Sequence, residues 1–415
     1  MIIFVLNCGS STIKYQLINM QGEYVMAKGM IERIGSAGSV LKYSANGNAD
    51  VETLLPIPDH KTGIELIIEA LTATGGGVIR SVDEIDAVGH RVVHGGERFA
   101  DSAFINDDVI DGIEDCCEIA PLHNPPNLVG IRSCLAVMPN VPQVAVFDTA
   151  FHQTMAPKAY LYGLRYEEYE DYGLRRYGFH GTSHKFVSER AAYLMQKDIT
   201  DLRIITCHLG NGASLCAVKY GHSIDTSMGF TPLEGLIMGT RCGEIDPSIV
   251  KFLMEKKGIT AEEMDEELNR SSGVLGISGI SSDFRDLELE AHKGNPRAEL
   301  AIDMFAYRVR KYIGSYAAAM GGLDAIVFTA GLGENSGFMR AKICEGLGFL
   351  GVNIDPIAND VRGKEREIST KDSKVKAFLI PTNEELVIAR DTLRLCRLKN
   401  RKQNNKKAKE KAAAK

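Results

Sequence analysis

Apolar positions divide the chain into strand-like and helix-like stretches. Short apolar or alternating runs predict strands at 2–6, 14–19, 85–89, 143–147, 203–209, 214–218 and 325–329. Apolar residues at helical spacing predict helices over 60–73, 182–196, 247–257 and 297–320. Because strands and helices alternate along the chain, the pattern predicts an α/β fold.

Three glycine-rich turns follow predicted strands. Two of them lie in strand–turn–strand units that open at 2–6 and 203–209, and the third, "AGLGENS", covers 330–336. The repeated unit indicates a duplicated fold, and turns at the carboxyl ends of strands are where α/β proteins bind nucleotides. For the first turn, "NCGSST", a plain hairpin that needs Gly and Ser remains an alternative. Neither a GxxxxGK[ST] loop nor a GxGxxG fingerprint occurs.

Length and composition indicate a two-domain soluble protein. The chain has 415 residues, of which 44% are hydrophobic and 25% charged. It contains no apolar run of the ~20 residues that span a bilayer and no basic N-terminal segment typical of a signal peptide. The nine cysteines are scattered without a CxxC pair, which favours a reducing cytoplasm over a disulfide or zinc framework.

The net charge of −6 conceals a basic C-terminal end. Residues 399–415 hold eight Lys or Arg and one Glu, so the rest of the chain is strongly acidic. A basic end can touch nucleic acid or an anionic surface, but we expect a flexible, solvated tail at 400–415. The acidic body argues against nucleic acid as a partner, and no membrane partner is expected.

Short polar clusters interrupt the apolar surroundings and supply candidate chemistry. Their charged and imidazole residues are Arg91, His123, Asp148, His180, Arg241 and Glu384. Each has an ordinary alternative: loop histidines are often structural, the arginines can be ion-pair partners, and Glu384 can simply favour a helix start. Asp148 is harder to explain this way, because a carboxylate that ends an apolar strand has no packing purpose.

Nine segments, in order, resemble the acetate kinase family over about residues 1–396. They are "NCGSSTIK", "GHRVVHGG", "HNPPN", "VFDTAFH", "YGFHGTSH", "GNGAS", "DTSMGFTPLEGLIMGTR", "TAGLGENS" and "TNEEL". The resemblance implies the duplicated actin-like ATPase fold of the sugar kinase, Hsp70 and actin superfamily, with two domains around a nucleotide cleft. The expected domains are 1–149 completed by a C-terminal helix at 386–399, and 150–385. The resemblance also implies a homodimer.

The implied reaction is reversible transfer of a phosphoryl group from ATP to acetate, giving acetyl phosphate and ADP, with Mg²⁺ or, in its place, Mn²⁺. Acetate is already an ionised nucleophile at neutral pH, so the site needs cations and donors more than a strong base. A propionate kinase of the same family is the alternative. A nucleotide-gated binding module, like actin or a chaperone, is the rival from another class, but it would need neither paired arginines nor an acyl pocket.

The resemblance assigns roles residue by residue. Arg91 and Arg241 correspond to arginines that flank the acyl phosphate and the γ-phosphate, a task that suits the planar guanidinium. His180 corresponds to a histidine on the transferring phosphoryl, and His123 to a neighbour in the substrate pocket. Asp148 joins the magnesium and phosphate-positioning set, whose implied metal residues are Asn7 and Glu384.

Two further sets follow from the resemblance. The expected wall around the acyl methyl is Val93, Leu122, Phe179 and Pro232; valine at 93 favours acetate, because propionate-preferring relatives carry a smaller residue there. The expected ATP-binding residues are Ser10, Thr12, Lys14, His208, Leu209, Gly210, Asn211, Gly212, Asp283, Phe284, Arg285, Gly331, Leu332, Gly333, Glu334 and Asn335. Thr12 stands where the family usually has serine, which keeps the hydroxyl and adds a methyl.

Overall fold

The computed structural model describes residues 1–45 and 51–413, without the side chains of 403 and 406–413. The chain divides into two compact units. Unit 1 comprises Met1–Ala150 and Asn383–Lys415, and unit 2 comprises Phe151–Thr382.

Unit 1 is built on a sheet whose strand order is β5-β4-β3-β2-β1-β6-β8-β7. The strands are β1 (Ile2–Cys8), β2 (Thr12–Asn19), β3 (Tyr24–Glu32), β4 (Val40–Ala45), β5 (Val51–Leu54), β6 (Ala87–Val92), β7 (Ala103–Phe104) and β8 (Gln143–Phe147). β1 pairs antiparallel with β2 and parallel with β6, which pairs parallel with β8. The carboxyl ends of β1, β6 and β8 therefore meet at one edge of the sheet.

Helices cover both faces of this sheet. They are α1 (His60–Thr72), α2 (Asp107–Asp115), α3 (Asn124–Val137) and, from the far end of the chain, the helix Glu384–Ala413, numbered α15 below. Phe4 and Leu6 of β1 share a core with Ile64 of α1, whereas Ile3 shares one with Ile388 of the C-terminal helix. Successive side chains of β1 point to opposite faces of the sheet, and both faces are buried, as expected of a central strand.

Unit 2 repeats this plan with a six-stranded sheet of order β11-β10-β9-β12-β14-β13. Its strands are β9 (Arg203–Leu209), β10 (Ala213–Lys219), β11 (His222–Thr226), β12 (Ala325–Thr329), β13 (Arg366–Glu367) and β14 (Lys376–Leu379). Its helices are α4 (Pro157–Tyr160), α5 (Tyr166–Tyr172), α6 (Gly181–Leu194), α7 (Ser248–Lys257), α8 (Ala261–Arg270), α9 (Gly273–Ser278), α10 (Phe284–His292), α11 (Pro296–Met320), α12 (Ala330–Asn335), α13 (Gly337–Cys344) and α14 (Pro356–Asn359). The last helix of the chain, α15 (Glu384–Ala413), belongs to unit 1.

The two sheets share one core topology. In unit 1 the central order is β3-β2-β1-β6-β8, and in unit 2 it is β11-β10-β9-β12-β14. The first three strands of each set pair antiparallel with one another, and the last two follow parallel to the middle strand. The predicted α/β fold and its duplication are therefore confirmed.

Most predicted elements differ from the observed ones by at most two residues at either end, and two elements differ by more. β6 covers Ala87–Val92, whereas the pattern predicts 85–89, and the C-terminal helix runs to Ala413, whereas a helix ending at 399 is expected. Lys, Arg and Ala are strong helix formers, so the basic end extends α15. Residues 414–415 of the expected tail lie outside the described residues.

Among the described residues, no helix combines the length and the apolar sequence that crossing a bilayer requires.

Candidate active site

The β1–β2 hairpin brings Asn7 and Lys14 together in unit 1. They are directly opposite in the antiparallel register, so their side chains lie on the same face. The turn is closed by a hydrogen bond from Gly9 N to Thr12 O of 2.8 Å, and His60 Nε2 donates to Gly9 O at 2.8 Å. A Cβ at Gly9 would lie 2.8 Å from Thr12 Oγ1, so glycine is needed where the threonine hydroxyl packs. Ser10 at the tip of this turn is exposed.

Arg91 and Asp148 form a bidentate ion pair at the carboxyl ends of β6 and β8. Arg91 Nη2 lies 2.5 Å from Asp148 Oδ2, and Arg91 Nε lies 3.3 Å from Oδ1. Asp148 is 1% exposed, and its backbone N donates to Val92 O at 3.0 Å. Arg91 Nη1 also donates to Asn7 Oδ1 at 3.4 Å, and Glu384 Oε2 lies 4.0 Å from Arg91 Nε. We call Asn7, Lys14, Arg91, Asp148 and Glu384 the N-terminal site.

Opposite charges share this site. Burial raises the pKa of Glu384 to about 7; nearby Arg91 opposes the rise and Asp148 adds to it. Burial also disfavours the charged form of Arg91, but the carboxylates of Asp148 and Glu384 outweigh it and raise the pKa of Arg91 above its ordinary value. The guanidinium is therefore a fixed cation, held by carboxylates on two sides.

The oxygen atoms of the N-terminal site fit a hard cation. Asn7, Asp148 and Glu384 offer one amide and two carboxylate groups, the ligands that Mg²⁺ accepts alongside water and phosphate oxygens. Within 1–45 and 51–413, no cluster of three His, Cys, Asp or Glu residues could hold a metal unaided. The donor set thus suits a cation that arrives with a phosphate ligand.

Two asparagines hold the segment after β6. Asn127 Oδ1 accepts from Val93 N at 3.0 Å, and Asn124 Oδ1 accepts from His94 N at 3.1 Å. Asn127 Nδ2 also donates to Cys8 O at 2.8 Å, which ties this segment to the β1–β2 hairpin. Neither asparagine is identified as functional from the sequence, although the two bracket the proline pair of "HNPPN" at the start of α3.

The unit 1 residues assigned to the acyl pocket differ in exposure. Val93 is buried, whereas Leu122 is 66% exposed, and His123 is half-buried just before α3. Of these three residues, Val93 is therefore the one whose side chain packs in the interior of unit 1.

In unit 2, His180 stands at the entrance to α6. Its backbone is left-handed, with φ of 56°, and its Nδ1 lies 2.8 Å from Ser214 Oγ. Its ring stacks on that of His208, with centroids 4.0 Å apart and an interplanar angle of 17°. His208 Nδ1 in turn lies 2.8 Å from Ser183 Oγ. Strands β9 and β10 and helix α6 thus fix both rings.

A second layer of histidine lies behind His180. His184 Nε2 lies 2.8 Å from Ser214 Oγ, and its Nδ1 lies 2.7 Å from Thr206 Oγ1. Burial lowers the pKa of His184 well below its ordinary value, and the neighbouring His152 and His208 lower it further. His184 is therefore neutral at pH 7. His152 Nε2 donates to the carbonyl of the buried Phe179 at 2.9 Å.

Arg241 and His180 converge on Gly212. A Cβ at Gly212 would lie 3.4 Å from Arg241 Nη1 and 3.8 Å from His180 Nε2. Arg241 donates to Pro232 O at 3.4 Å, and no carboxylate of the described residues lies within ion-pair distance of it. Burial lowers the pKa of Arg241, but arginine stays protonated at neutral pH. We call His180, His208, Asn211, Gly212 and Arg241 the C-terminal site.

The loop that carries Arg241 is held by a half-buried ion pair. Arg176 Nη2 lies 2.5 Å from Glu234 Oε1, and Arg176 Nη1 donates to the carbonyls of Thr226, Ser227 and Met228 at 3.0 to 3.2 Å. A Cβ at Gly239 would lie 1.7 Å from Asn211 Oδ1, so this loop packs directly against the turn after β9. The sequence does not identify Arg176 or Glu234, because neither stands at the end of a strand.

A cavity of about 610 Å³ adjoins the C-terminal site. Its lining is Gly210, Asn211, Ser282, Asp283, Phe284, Arg285, Glu288, Gly331, Leu332, Asn335, Ser336 and Arg362. Eight of these belong to the expected ATP-binding set, and Ser282, Glu288, Ser336 and Arg362 do not. Of the other expected residues, Leu209 and Gly333 are buried, and the carboxylate of Glu334 bonds to its own loop.

The model of the acetokinase family matches residues 2–390. The chain belongs to the acetokinase family. Among curated members, the acetate kinase of Halothermothrix orenii is 61% identical over 393 residues, which cover 95% of this chain and 99% of that protein. The acetate kinase of Alkaliphilus metalliredigens is 60% identical over 94% of this chain and 98% of that protein. The predicted family is thus confirmed, and the protein is a kinase.

Solved acetokinase structures share the fold. The crystal structure of Porphyromonas gingivalis acetate kinase superposes with a TM-score of 0.92 at 48% identity, covering 95% of this chain and 99% of that one. That of a propionate kinase from Francisella tularensis superposes with a TM-score of 0.88 at 42% identity, also over 95% and 99%.

Proposed function

We propose that this protein is an acetate kinase that transfers the γ-phosphoryl group of ATP to acetate, giving acetyl phosphate and ADP, and that it also runs the reverse reaction. The observation that carries the proposal is the convergence of Arg241 Nη1 and His180 Nε2 on Gly212, next to the 610 Å³ cavity. A guanidinium without a carboxylate partner among the described residues, set beside an imidazole, is an arrangement that stabilises phosphoryl charge. The names of the curated relatives favour acetate as the acceptor.

The C-terminal site handles the nucleotide in this proposal. ATP occupies the cavity between the loop of Asp283 and the loop of Gly331. Arg241 and His180 donate to the phosphoryl oxygens as negative charge shifts during transfer. Gly212 is required between them because a side chain would fill the space that the phosphoryl needs.

The N-terminal site handles the carboxylate substrate. The Arg91 guanidinium binds the acetate carboxylate, and Asp148 holds that guanidinium in place through two hydrogen bonds. An acetate oxygen attacks the γ-phosphorus, the bond to the β-phosphate oxygen breaks, and ADP leaves. No proton transfer is needed, because acetate enters as an anion.

Asn7, Asp148 and Glu384 would hold the Mg²⁺ of the reaction, with Lys14 beside them. When bound, Mg²⁺ neutralises phosphate charge and so reduces the repulsion between ATP and acetate.

The proposal is tested by trapping acyl phosphate with hydroxylamine. Purified protein is incubated with ATP, Mg²⁺ and acetate, propionate or butyrate, and kcat/KM is measured for each acid. We expect the highest kcat/KM for acetate and a lower value for propionate. If propionate led, the protein would be a propionate kinase; if ATP bound but no acid accepted phosphate, a nucleotide-gated binding module would replace the kinase.

Propionate kinase is the second candidate, favoured by the similar structure from Francisella tularensis. Val93 is buried, and its β-branched side chain is the one that we expect to narrow the acyl pocket. One methylene is worth about 1–3 kcal/mol in such a pocket, so propionate should be a poorer but real substrate. We predict that Val93→Ala narrows the acetate preference by about tenfold, measured as the ratio of the two kcat/KM values.

The matched control is Val129→Ala, which makes the same change at a 46% exposed position of α3. It should leave the acid preference unchanged. An unaltered preference in Val93→Ala would show that Val93 does not border the acyl group.

We also propose that the enzyme is a cytoplasmic homodimer. The nine free thiols support a reducing compartment. Exposed apolar side chains on unit 2, among them Ile249, Phe252 and Tyr307, offer surface of the kind that subunit interfaces bury.

A further inference from the structure

The carboxylate of Glu334 binds two separate segments of unit 2. Its Oε1 accepts from Ala330 N at 2.8 Å, from Thr329 Oγ1 at 3.3 Å and from Thr382 N at 3.1 Å. Glu334 and Ala330 belong to the loop and short helix that follow β12, whereas Thr382 follows β14. One oxygen atom therefore joins the ends of two neighbouring parallel strands.

The loop that Glu334 holds contains a strained residue. Ala330 has φ of 63°, in the left-handed region, where a Cβ is unfavourable and where alanine has no polar side chain to compensate. Such strain persists only where surrounding contacts enforce it, and it is concentrated at functional sites. The bond from Ala330 N to Glu334 is one such contact.

The two joined segments serve different parts of the proposed reaction. Gly331, Leu332 and Asn335 of the first line the nucleotide cavity, whereas Thr382 precedes Glu384 of the N-terminal site by two residues. The carboxylate of Glu334 thus bonds on one side to a nucleotide loop and on the other to the segment that leads to a proposed metal residue.

We propose that Glu334 is a positioning residue that couples nucleotide binding to Mg²⁺ binding. It fixes the loop after β12 and the Thr382 segment as one piece, so a nucleotide in the cavity stabilises the placement of Glu384, and a metal at Glu384 stabilises the nucleotide loop. Coupling between two ligands is reciprocal, so it appears as tighter ATP binding in the presence of Mg²⁺. This role rests on the proposed function and gives Glu334 a task other than touching ATP.

The test measures the dissociation constant of ATP by calorimetry with Mg²⁺ and with excess chelator. In the unmodified protein the ratio of the two constants reports the gain due to the metal. Glu334→Ala should reduce that ratio by about tenfold, since it removes hydrogen bonds to a charged group. Glu266→Ala, on the exposed surface of α8, is the matched control and should leave the ratio unchanged.

If Glu334 only stabilised its own loop, the ATP dissociation constants would change in a different way. If Glu334→Ala weakened ATP binding equally with and without Mg²⁺, the coupling role would be overturned. If Glu334→Ala fails to fold, Glu334→Asp makes the same comparison, because a side chain one methylene shorter cannot reach all three donors. An unmodified protein whose ATP affinity does not respond to Mg²⁺ would instead contradict the metal part of the proposed function.

A variant with glycine at position 330 distinguishes two effects of Glu334, namely holding the strained backbone of Ala330 and coupling ATP binding to Mg²⁺ binding. Ala330→Gly removes the Cβ that disfavours the left-handed backbone. In the double variant Ala330→Gly/Glu334→Ala, glycine should let the loop keep its shape without the bond from Glu334. Any metal-free ATP affinity that Glu334→Ala loses should therefore recover. The ratio of the two dissociation constants should stay about tenfold below that of the unmodified protein. Recovery of the ratio as well would show that Glu334 acts only on Ala330 and would overturn the proposal.

Discussion

Arg241→Ala is expected to lower kcat by about 100- to 1000-fold, the loss typical of removing one donor that stabilises charge in a transition state. Arg241 is suited to this because no carboxylate of the described residues neutralises it, and because its guanidinium faces Gly212 together with His180. The cavity-lining residues are unchanged, so the dissociation constant of ATP should change little. Steady-state kinetics with acetate, together with calorimetric ATP binding, separates the two quantities.

Two further variants make this result specific. Arg241→Lys keeps the positive charge but lacks the planar fork, so it should recover only part of the lost kcat. Arg270→Ala removes an exposed arginine at the end of α8 and should leave kcat unchanged. A fall in kcat of less than about threefold in Arg241→Ala would exclude the residue as a charge stabiliser.

The fold was largely predictable because its central strands are buried on both faces. β1, β8, β9 and β12 consist almost entirely of buried residues, and such apolar runs are visible in the sequence. β3 was not predicted, because its first two residues are exposed and a shift of register where it pairs with β2 breaks its alternation. The pattern thus identified the central strands of each sheet. It missed the shorter or more exposed strands β3, β4, β5, β7, β11, β13 and β14.

The residue types of the candidate site were visible, but their partners were not. Arg91 and Asp148 each follow an apolar run, yet their pairing depends on β6 and β8 being neighbours in parallel register. Sequence spacing carries no information about that register. The same holds for Arg241 and His180, which meet only because separate segments of unit 2 fold against Gly212.

The residues that sequence reasoning missed are mostly those that hold other residues. His184 bridges Thr206 and Ser214, each from a different strand, and nothing in "GFHGTSH" indicates these hydroxyl partners. Glu334 stood in the expected ATP-binding set because it lies within "AGLGENS", but its carboxylate binds Ala330 and Thr382. A motif identifies the segment near a ligand, and only the folded chain shows which side chains support it.

Arg91→Ala should abolish most activity and also destabilise unit 1. Loss of the guanidinium removes the proposed acetate-binding group, so kcat/KM for acetate should fall by at least about 1000-fold. It also leaves the carboxylate of Asp148, 1% exposed, without its bidentate partner. Breaking a fully buried pair costs about 3–5 kcal/mol, and because Arg91 is 22% exposed we expect about 2–3 kcal/mol, measured by urea unfolding.

A double variant separates the two effects, because they have different causes. Arg91→Ala/Asp148→Asn also removes the negative charge of Asp148, which has lost Arg91 as its bidentate partner. Most of the lost free energy of unfolding should therefore return, while activity stays absent. Arg132→Ala, which breaks an exposed ion pair with Glu114 on the surface of unit 1, should change neither quantity appreciably. Retention of kcat/KM for acetate by Arg91→Ala would contradict the proposed carboxylate site, whereas loss of activity without loss of stability would show that Asp148 is solvated or held by other groups once Arg91 is gone.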